Sequence, residues 1–317
     1  MQVTALGEVL IDFTPAGSSA AGNVQFEQNP GGAPANVLAA LAKLGVETAF
    51  IGKVGSDQFG RYLLDTLTGC GIDASGVVLD AEANTTLAFV HLAADGDRTF
   101  SFYRNPGADQ LLKPEEVNTA LIENSKVFHF GSISMTHQPA ADATRRALQA
   151  AKAGGQLVSF DPNLRPALWD DLERAKEIIR EGLAASDIVK LSEEELVFLT
   201  DDEQLDRAAR RVASEYNIQL LLVTLGEKGC YYLLGDTAGS VPSYKVKAVD
   251  TTGAGDSFLG GFLYKLLEDG RALTLWSEEE LAAALSFACA MAALVTTKKG
   301  AIPAMPSKEE IEALLGS

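Results

Sequence analysis

The segment with the clearest capacity for chemistry is a glycine-rich motif late in the chain, Asp250-Thr251-Thr252-Gly253-Ala254-Gly255-Asp256. A short apolar segment, residues 244–249, precedes it and is predicted as a strand, and the amphipathic run 258–267 after it predicts a helix. The glycines therefore lie where a helix begins, with unpaired backbone N–H groups and a positive dipole end. This arrangement favours a bound phosphate group without any basic side chain.

Asp256 falls in the first turn of that helix, and two interpretations of an acidic residue at this position are open. Acidic residues are common there as partners of the helix dipole. Beside a phosphate-binding loop, the same carboxylate could accept the proton of a substrate hydroxyl that attacks a phosphoryl group. In either case the dipole is expected to keep Asp256 ionised.

Two rival glycine motifs are excluded by the residues themselves. The chain has no G-x-x-x-x-G-K-[ST] sequence, so it is not a P-loop nucleotidase. Phe258 stands where a dinucleotide-binding fingerprint needs its third glycine, and the motif lies late in the chain.

A second cluster, Gly31-Gly32-Ala33-Pro34-Ala35-Asn36, predicts the start of a helix at Pro34 that ends at Gly45. Asn36 then lies in the first turn, where a capping role is the default interpretation. Asp12 is placed at the end of the first strand, a position where turn residues are common.

Two further polar loops follow predicted strands. Asp161-Pro162-Asn163-Leu164-Arg165-Pro166 comes after the strand at 156–160, and Thr224-Leu225-Gly226-Glu227-Lys228-Gly229 closes the apolar strand at 219–225. Loops at the carboxyl ends of parallel strands are where ligands bind in α/β proteins, although many such loops are only turns. Arg165 is therefore a candidate ligand contact.

The elements that position these motifs alternate along the chain. Strands are predicted at 48–54, 126–130, 156–160, 187–191 and 219–225, and helices at 33–44, 59–68, 140–153, 172–184 and 204–216. This alternation predicts an α/β protein with a mostly parallel sheet covered by helices on both sides. The apolar run 281–296 is too short for a membrane span and predicts a buried helix.

Two segments, 13–30 and 84–104, interrupt the alternation. In the second, paired strands at 85–93 and 98–104 flank Asp95-Gly96, a strong hairpin signal, and Phe100, Phe102 and Arg104 fall on one face. These segments predict a small antiparallel sheet, which is either a lid or an ordinary edge hairpin.

The composition limits the possible partners. The chain has 317 residues and a formal net charge of −17, which argues against nucleic acid and against an anionic membrane surface. Its three cysteines are widely spaced, its three histidines are not at metal-ligand spacing, and its start does not resemble a signal peptide. We therefore expect a soluble cytoplasmic protein without a zinc site.

Taken together, the motifs resemble those of the ribokinase-like pfkB family of carbohydrate kinases, most closely its fructokinase branch. The specific signatures are Gly-Gly-x-x-x-Asn at 31–36 and Asp-Thr-x-Gly-Ala-Gly-Asp at 250–256, and the resemblance extends from Gly7 to Ala301. Phe102-Tyr103-Arg104 with Asp109, and 161–166 with Trp169, are similar to the fructokinase branch. The resemblance implies one domain over 1–317, three-layer α/β/α, with a β-sheet lid formed by about 13–30 and 84–106.

The resemblance also implies roles for individual residues. Asp256 corresponds to the general base, and the N–H groups of Gly253, Ala254 and Gly255 to the anion hole. The positions implied for substrate binding are Asp12, Gly32, Asn36, Phe102, Arg104, Arg165 and Asp256 itself.

Nucleotide and cation positions are implied in the same way. The nucleotide-binding positions implied are Thr224, Gly226, Gly229, Gly253, Gly255 and Cys289. Glu195 corresponds to a glutamate that acts near Mg²⁺ through water, although Ser192 stands where the family motif usually has Asn. Asp250, Thr252 and Gly300 resemble a monovalent-cation site that potassium could fill.

The implied activity is transfer of the γ-phosphoryl group of ATP to the 6-hydroxyl of D-fructose. The alternatives are a 2-keto-3-deoxygluconate kinase, which would also use Arg104 and Arg165, a kinase for ribose or aminoimidazole riboside, and a non-catalytic sugar- or nucleotide-sensing module. The lid strands leave one face that needs cover, which suggests a homodimer.

Overall fold

Two β-sheets organise the chain in the computed structural model, which describes residues 1–92 and 98–316. The strands are β1 (Val3–Leu6), β2 (Leu10–Ser18), β3 (Val24–Gly31), β4 (Thr48–Gly55), β5 (Ile72–Asp80), β6 (Leu87–Leu92), β7 (Arg98–Tyr103), β8 (Val127–Gly131), β9 (Leu157–Asp161), β10 (Ile188–Ser192), β11 (Leu220–Thr224), β12 (Cys230–Leu234) and β13 (Thr237–Val241). Nine of them form a sheet in the order β13-β12-β11-β10-β9-β8-β1-β4-β5, and the other four form a sheet in the order β3-β2-β6-β7. We call the second one the small sheet.

Ten α-helices accompany these strands in the described ranges. They are α1 (Ala33–Lys43), α2 (Gln58–Gly69), α3 (Thr119–Glu123), α4 (Ala140–Gly154), α5 (Leu172–Ala184), α6 (Glu193–Thr200), α7 (Leu205–Tyr216), α8 (Ala254–Asp269), α9 (Glu278–Val295) and α10 (Lys308–Leu315). All five predicted strands and all five helices of the alternating pattern are confirmed, with no end shifted by more than one residue. None of the helices in the described ranges is long and apolar enough to cross a membrane.

The large sheet is parallel except at β12 and β13, and helices cover both of its faces. Strand β11 shows why: Leu220 and Leu222 belong to one apolar core, and Leu221 and Val223 belong to the other. A strand buried on both faces needs such a continuous apolar run. The predicted three-layer α/β/α architecture is therefore confirmed.

The small sheet contains the two segments that interrupt the alternation. Its β2–β3 and β6–β7 pairs are antiparallel, but β2 and β6 run parallel, so the prediction of a purely antiparallel sheet is wrong. The chain leaves this sheet between β3 and β6 to form α1, β4, α2 and β5, and it returns in the same direction as β2. The predicted turn at 94–97 lies outside the described residues.

Two local predictions are also wrong. Residues 244–249 form no strand; instead Val249 and Asp250 donate their N–H groups to the Thr296 carbonyl after α9. Asp12 does not end the first strand, because β1 stops at Leu6 and Asp12 lies within β2. Sequence alternation alone does not show whether a neighbouring strand is available for pairing.

Candidate active site

The main cleft, with a volume of about 1250 Å³, lies between the small sheet and the carboxyl edge of the large sheet. Most of the predicted site residues line it: Asp12, Gly32, Asn36, Phe102, Arg165, Glu195, Thr224, Gly226, Asp250, Thr252, Gly253, Ala254, Gly255, Asp256 and Gly300. The fold therefore brings residues from eight separate parts of the chain together in one cavity. This is the edge where ligands bind in open α/β sheets.

Arg104 is not among the residues that line the cleft. Its guanidinium is buried, with Nε donating to Asp109 Oδ2 at 2.8 Å, Nη1 donating to Thr136 Oγ1 at 3.0 Å and Nη2 donating to the Ile133 carbonyl at 3.2 Å. These contacts anchor the end of β7 to the large-sheet body. A direct contact between Arg104 and a substrate stays a prediction.

Gly229 and Cys289 also lie outside the cleft lining. Gly229 has φ 104°, and a side chain there would collide with the Val241 carbonyl, so this glycine allows the β11–β12 turn to close. The Cys289 thiol is buried 3.9 Å from that of Cys230. Their nucleotide contacts stay predictions, whereas Thr224 and Gly226 do line the cleft.

Asp256 is fixed by two amide side chains at the first turn of α8. Asn36 Nδ2 donates to its Oδ2 at 2.7 Å, and Asn163 Nδ2 donates to its Oδ1 at 3.2 Å. The side chain of Asn36 makes no capping bond to α1, so the capping interpretation is wrong. Asn163, which the sequence analysis did not single out, adopts φ 46° after β9.

The electrostatic environment of Asp256 differs from the expectation based on the helix dipole. Burial raises its pKa to about 6, the negative charge of Asp161 adds to that rise, and the Asn36 hydrogen bond with the charges of Lys190 and Arg165 opposes it. Desolvation outweighs the dipole because Asp256 is only 6% exposed. A carboxylate with this pKa is ionised at neutral pH yet basic enough to take up a proton.

The loop before Asp256 was predicted to bind an anion, and its backbone groups can be described one by one. Gly253 caps α8 at φ 76°, and a side chain there would collide with Ala301. The Ala254 N–H donates to the Thr251 carbonyl at 3.3 Å, whereas the Gly253 and Gly255 N–H groups have no backbone acceptor among the described residues. Two N–H groups at a positive helix end are thus available to an anion.

A buried ion pair beneath this loop was not anticipated from the sequence. Lys190 Nζ lies 2.9 Å from Asp161 Oδ2, and both side chains are at most 7% exposed. Burial alone would lower the pKa of Lys190, but the charges of Asp161 and Glu195 outweigh that effect and leave the pKa raised. The available signal was a lone lysine in the apolar strand 187–191 close to its carboxyl end.

The side of the cleft formed by β2 and α1 carries two carboxyl groups. Burial raises the pKa of Asp12 to about 7, with the charge of Arg165 opposing the rise. Glu8, which the sequence analysis also missed, has its pKa raised to about 7 by burial and accepts the Ala33 N–H at 3.0 Å. Both groups are easily neutralised, which suits contact with uncharged hydroxyl groups.

Glu195 lines the cleft at the start of α6. Its Oε1 accepts the Leu164 N–H at 2.7 Å, and its Oε2 accepts the Ser192 N–H at 2.7 Å, while Ser192 Oγ accepts the Glu195 N–H. Ser192 thus forms a capping box with Glu195. Because both carboxylate oxygens already accept hydrogen bonds, the arrangement fits a hydrated magnesium ion better than a directly bound one.

The proposed monovalent-cation residues lie together near the end of α9. Asp250 Oδ1 accepts the Thr252 N–H at 3.0 Å and Oγ–H at 2.7 Å, and its Oδ2 accepts the Gly300 N–H at 3.0 Å. Within residues 1–92 and 98–316, no three His, Cys, Asp or Glu side chains form a metal-binding group. Any cation bound here would therefore depend on backbone oxygens, water or substrate oxygens for its remaining ligands.

Comparisons with known proteins identify the family of the chain. The family model "pfkB family carbohydrate kinase" matches residues 1–308. Fructokinase-1 of Oryza sativa subsp. japonica is 49% identical over 317 residues, covering 99% of this chain and 98% of that protein.

Two solved structures extend the likeness to the fold. The fructokinase of Xylella fastidiosa with bound ATP has a TM-score of 0.89 at 36% identity, covering 99% of this chain and 98% of its own. The fructokinase of Vibrio cholerae O395 in its fructose-, ADP- and calcium-bound form has a TM-score of 0.90 at 34% identity, covering 99% of both chains. The chain therefore belongs to the pfkB family and is a carbohydrate kinase, as its motifs predicted.

Proposed function

We propose that this carbohydrate kinase is a fructokinase that transfers the γ-phosphoryl group of ATP to the 6-hydroxyl of D-fructose, with Asp256 as the general base. One observation carries the proposal: a buried, hydrogen-bonded carboxylate adjoins a helix N-terminus with free N–H groups inside the main cleft. The similarity to fructokinases over nearly the whole chain supports the choice of sugar.

In the proposed reaction, Asp256 accepts the proton of the sugar hydroxyl as its oxygen bonds to the γ-phosphorus. Asn36 and Asn163 each use one lone pair of the carboxylate, which leaves further lone pairs for the hydroxyl. Because phosphoryl transfer has a loose transition state, positioning of the hydroxyl matters more than a strong base. A carboxyl with a pKa of about 6 meets that requirement at neutral pH.

The phosphoryl oxygens are proposed to lie against the Gly253 and Gly255 N–H groups, which act as the anion hole. Magnesium, once bound, would neutralise phosphate charge, and Glu195 would hold its water ligands from the edge of the cleft. Potassium near Asp250, Thr252 and Gly300 would steady the loop that ends in Gly253. Thr224 and Gly226 are proposed to contact the nucleotide.

The sugar is proposed to bind between the small sheet and α1. Strand β2 points Leu10, Asp12 and Thr14 into the cleft, and Asn36 Oδ1 is buried without a hydrogen-bond partner among the described residues. Carboxylate and amide oxygens of this kind accept hydrogen bonds from sugar hydroxyls. The small sheet would act as the lid that excludes water.

The outer face of the small sheet supports a proposed homodimer. Phe89 packs against Phe13 with ring centroids 4.8 Å apart and against Tyr103 at 5.3 Å, and Tyr103 remains 66% exposed. Val24 is 63% exposed at the edge of the same sheet. An aromatic surface of this kind is suited to packing against a second copy of the chain.

A substrate screen tests the proposed function. Nucleotide consumption is measured with ATP and magnesium chloride, with and without potassium, for fructose, 2-keto-3-deoxygluconate, ribose and aminoimidazole riboside. The proposal expects fructose to have the highest kcat/KM and fructose 6-phosphate as the product. Turnover of the keto acid alone would replace the fructose assignment, and binding without any sugar-dependent ATP consumption would favour a sensing module.

A further inference from the structure

Lys190 is a buried lysine that the reaction described above does not use. It lies on β10 and is 6% exposed, and its ammonium forms an ion pair with Asp161. An ammonium group has three N–H donors, but Asp161 Oδ2 is its one hydrogen-bond acceptor among the described residues. Two donors are therefore left without partners in a place where unpaired donors are costly.

The position of that ammonium relates it to the glycine loop. A Cβ atom built on Gly255 would lie 3.0 Å from Lys190 Nζ, so the ammonium adjoins the second residue of α8. Lys190 also lines the main cleft. An anion held by the Gly255 N–H would thus lie within reach of the unused ammonium donors.

Lys190 differs from the other residues of the cleft in carrying a buried positive charge among several negative ones. Asp161, Glu195 and Asp256 all act electrostatically on Lys190, so the ammonium is surrounded by negative charge. Among the described lining residues, the other cationic side chain is that of Arg165, which is exposed and donates to the Leu164 carbonyl. A nucleotide phosphate would bring further negative charge, and Lys190 is the buried group that can compensate it.

We propose that Lys190 is a catalytic residue that donates its two free N–H groups to oxygens of the transferred γ-phosphoryl group. The inference rests on the proposed function, since it takes a nucleoside triphosphate as the phosphoryl donor. In the reaction, the bond from the β,γ-bridging oxygen to the γ-phosphorus breaks, the bond from the sugar oxygen forms, and the hydroxyl proton goes to Asp256. Lys190 keeps its protons and stabilises the charge on the moving group.

The affinities for ATP and ADP provide the decisive test, because ADP lacks the γ-phosphoryl group. Both are measured by titration calorimetry with excess magnesium chloride for the wild type and for K190M. The wild type must first show sugar-dependent ATP consumption; without it the proposed function fails, whatever the variant does. If Lys190 binds the γ-phosphoryl group, K190M weakens ATP binding by about tenfold or more and lowers kcat by about 10²-fold.

The same inference expects ADP binding by K190M to stay within about twofold of the wild type, since a charged contact to the γ-phosphoryl group is absent in that complex. A purely structural lysine would give a different pattern. Loss of its support would weaken ATP and ADP binding together, or would leave both unchanged.

K190M leaves Asp161 as an uncompensated buried charge, so a second variant removes both charges. D161N/K190M keeps the acceptor for the Asn163 N–H, which now donates to Asp161 Oδ1 at 3.1 Å. The inference expects this double variant to show the same selective loss of ATP affinity and the same low kcat. Recovery of either property would mean that the stranded Asp161 charge caused the loss, and the inference would be overturned.

Lys53 provides a matched control. It is also a buried strand lysine, 4% exposed and paired with Asp80 and Glu116 at 3.0 Å, but it does not line the cleft. K53M is expected to lower the thermal unfolding temperature while leaving the ratio of ATP to ADP affinity unchanged. If K53M shifted that ratio as far as K190M does, the effect would not report a contact at the γ-phosphoryl group, and the inference would fail.

Discussion

The two ends of the cleft are built on different principles. At the transfer end, which comprises Gly253–Gly255, Asp256, Lys190 and Glu195, the charged side chains are buried and already hold protein partners. At the lid end, which comprises the cleft face of the small sheet, the half-buried side chain of Asp12 makes no hydrogen bond among the described residues, whereas Thr14 Oγ1 accepts one from Asn29 Nδ2. The carboxylates of the transfer end are thus fixed by protein partners before ligands arrive, whereas the Asp12 carboxylate at the lid end is left for a ligand to satisfy.

This difference indicates which end of the cleft determines kcat and which determines KM in the proposed reaction. Groups that are fixed in advance lower the barrier without reorganisation, so changes at the transfer end should act on kcat. Asp12 is proposed to contact sugar hydroxyls that do not react, so its contribution is the same in the ground state and the transition state, and changes at the lid end should act on KM.

The largest effect is expected at the transfer end, from D256N. The amide keeps the size of Asp256 but does not accept the hydroxyl proton, so kcat should fall by about 10²- to 10⁴-fold. Steady-state kinetics with fructose and calorimetry with ATP measure the effect, and ATP affinity should stay near that of the wild type. Turnover close to wild type would remove Asp256 from the role of base and weaken the contrast between the two ends.

The matched change at the lid end is D12N, with a smaller effect on a different parameter. Above the Asp12 pKa of about 7, loss of the charged acceptor should raise KM for the sugar by about 10- to 100-fold, while kcat changes by less than about threefold. The same kinetic assay checks it beside D256N. If D12N instead lowered kcat with an unchanged KM, Asp12 would belong functionally with the transfer end.

The sequence predicted most of the scaffold and the glycine loop because their signals are local. A continuous apolar run such as 220–223 indicates a strand buried on two faces, and Gly253 needs the positive φ that a helix-initiating turn adopts. Asp256 was located by its distance from that turn. The raised pKa of Asp256 could not be predicted in this way, because its burial depends on elements that are distant in the sequence.

The missed residues are those whose role depends on tertiary partners. Asn163 meets Asp256 from 93 positions away, and Lys190 meets Asp161 from 29 positions away, so neither contact leaves a short-range pattern. Conversely, residues 244–249 carried a strand-like pattern but found no strand to pair with. Local sequence patterns therefore predicted the helices and strands, whereas the contacts within the site depend on how those elements pack together.

The pH dependence of activity tests the ionisation of Asp256 at the transfer end. Asp256 must be ionised to accept a proton, and its pKa is raised to about 6, so kcat should fall tenfold per pH unit below about pH 6, whereas protonation of Asp12, whose pKa is raised to about 7, acts on KM. Asn36 stabilises the ionised form, so N36A should move this acid limb to higher pH and lower activity a few-fold near pH 6. Profiles of the two proteins from pH 5 to 8 measure the shift. An acid limb that moves to lower pH, or not at all, would show that another group controls the rate.

The smallest effect on catalysis is expected on the outer face of the small sheet. Tyr103 is 66% exposed in an aromatic cluster, so Y103S should weaken the proposed dimer by removing apolar contact area, with kcat/KM changed by less than about threefold. Leu275 has the same exposed fraction of 66% but lies between α8 and α9, which makes L275S the matched control. Sedimentation velocity over a range of protein concentrations should show Y103S dissociating where L275S and the wild type remain dimeric. A wild-type chain that sediments as a monomer throughout would refute the dimer, and the exposed aromatic face would then need a different partner.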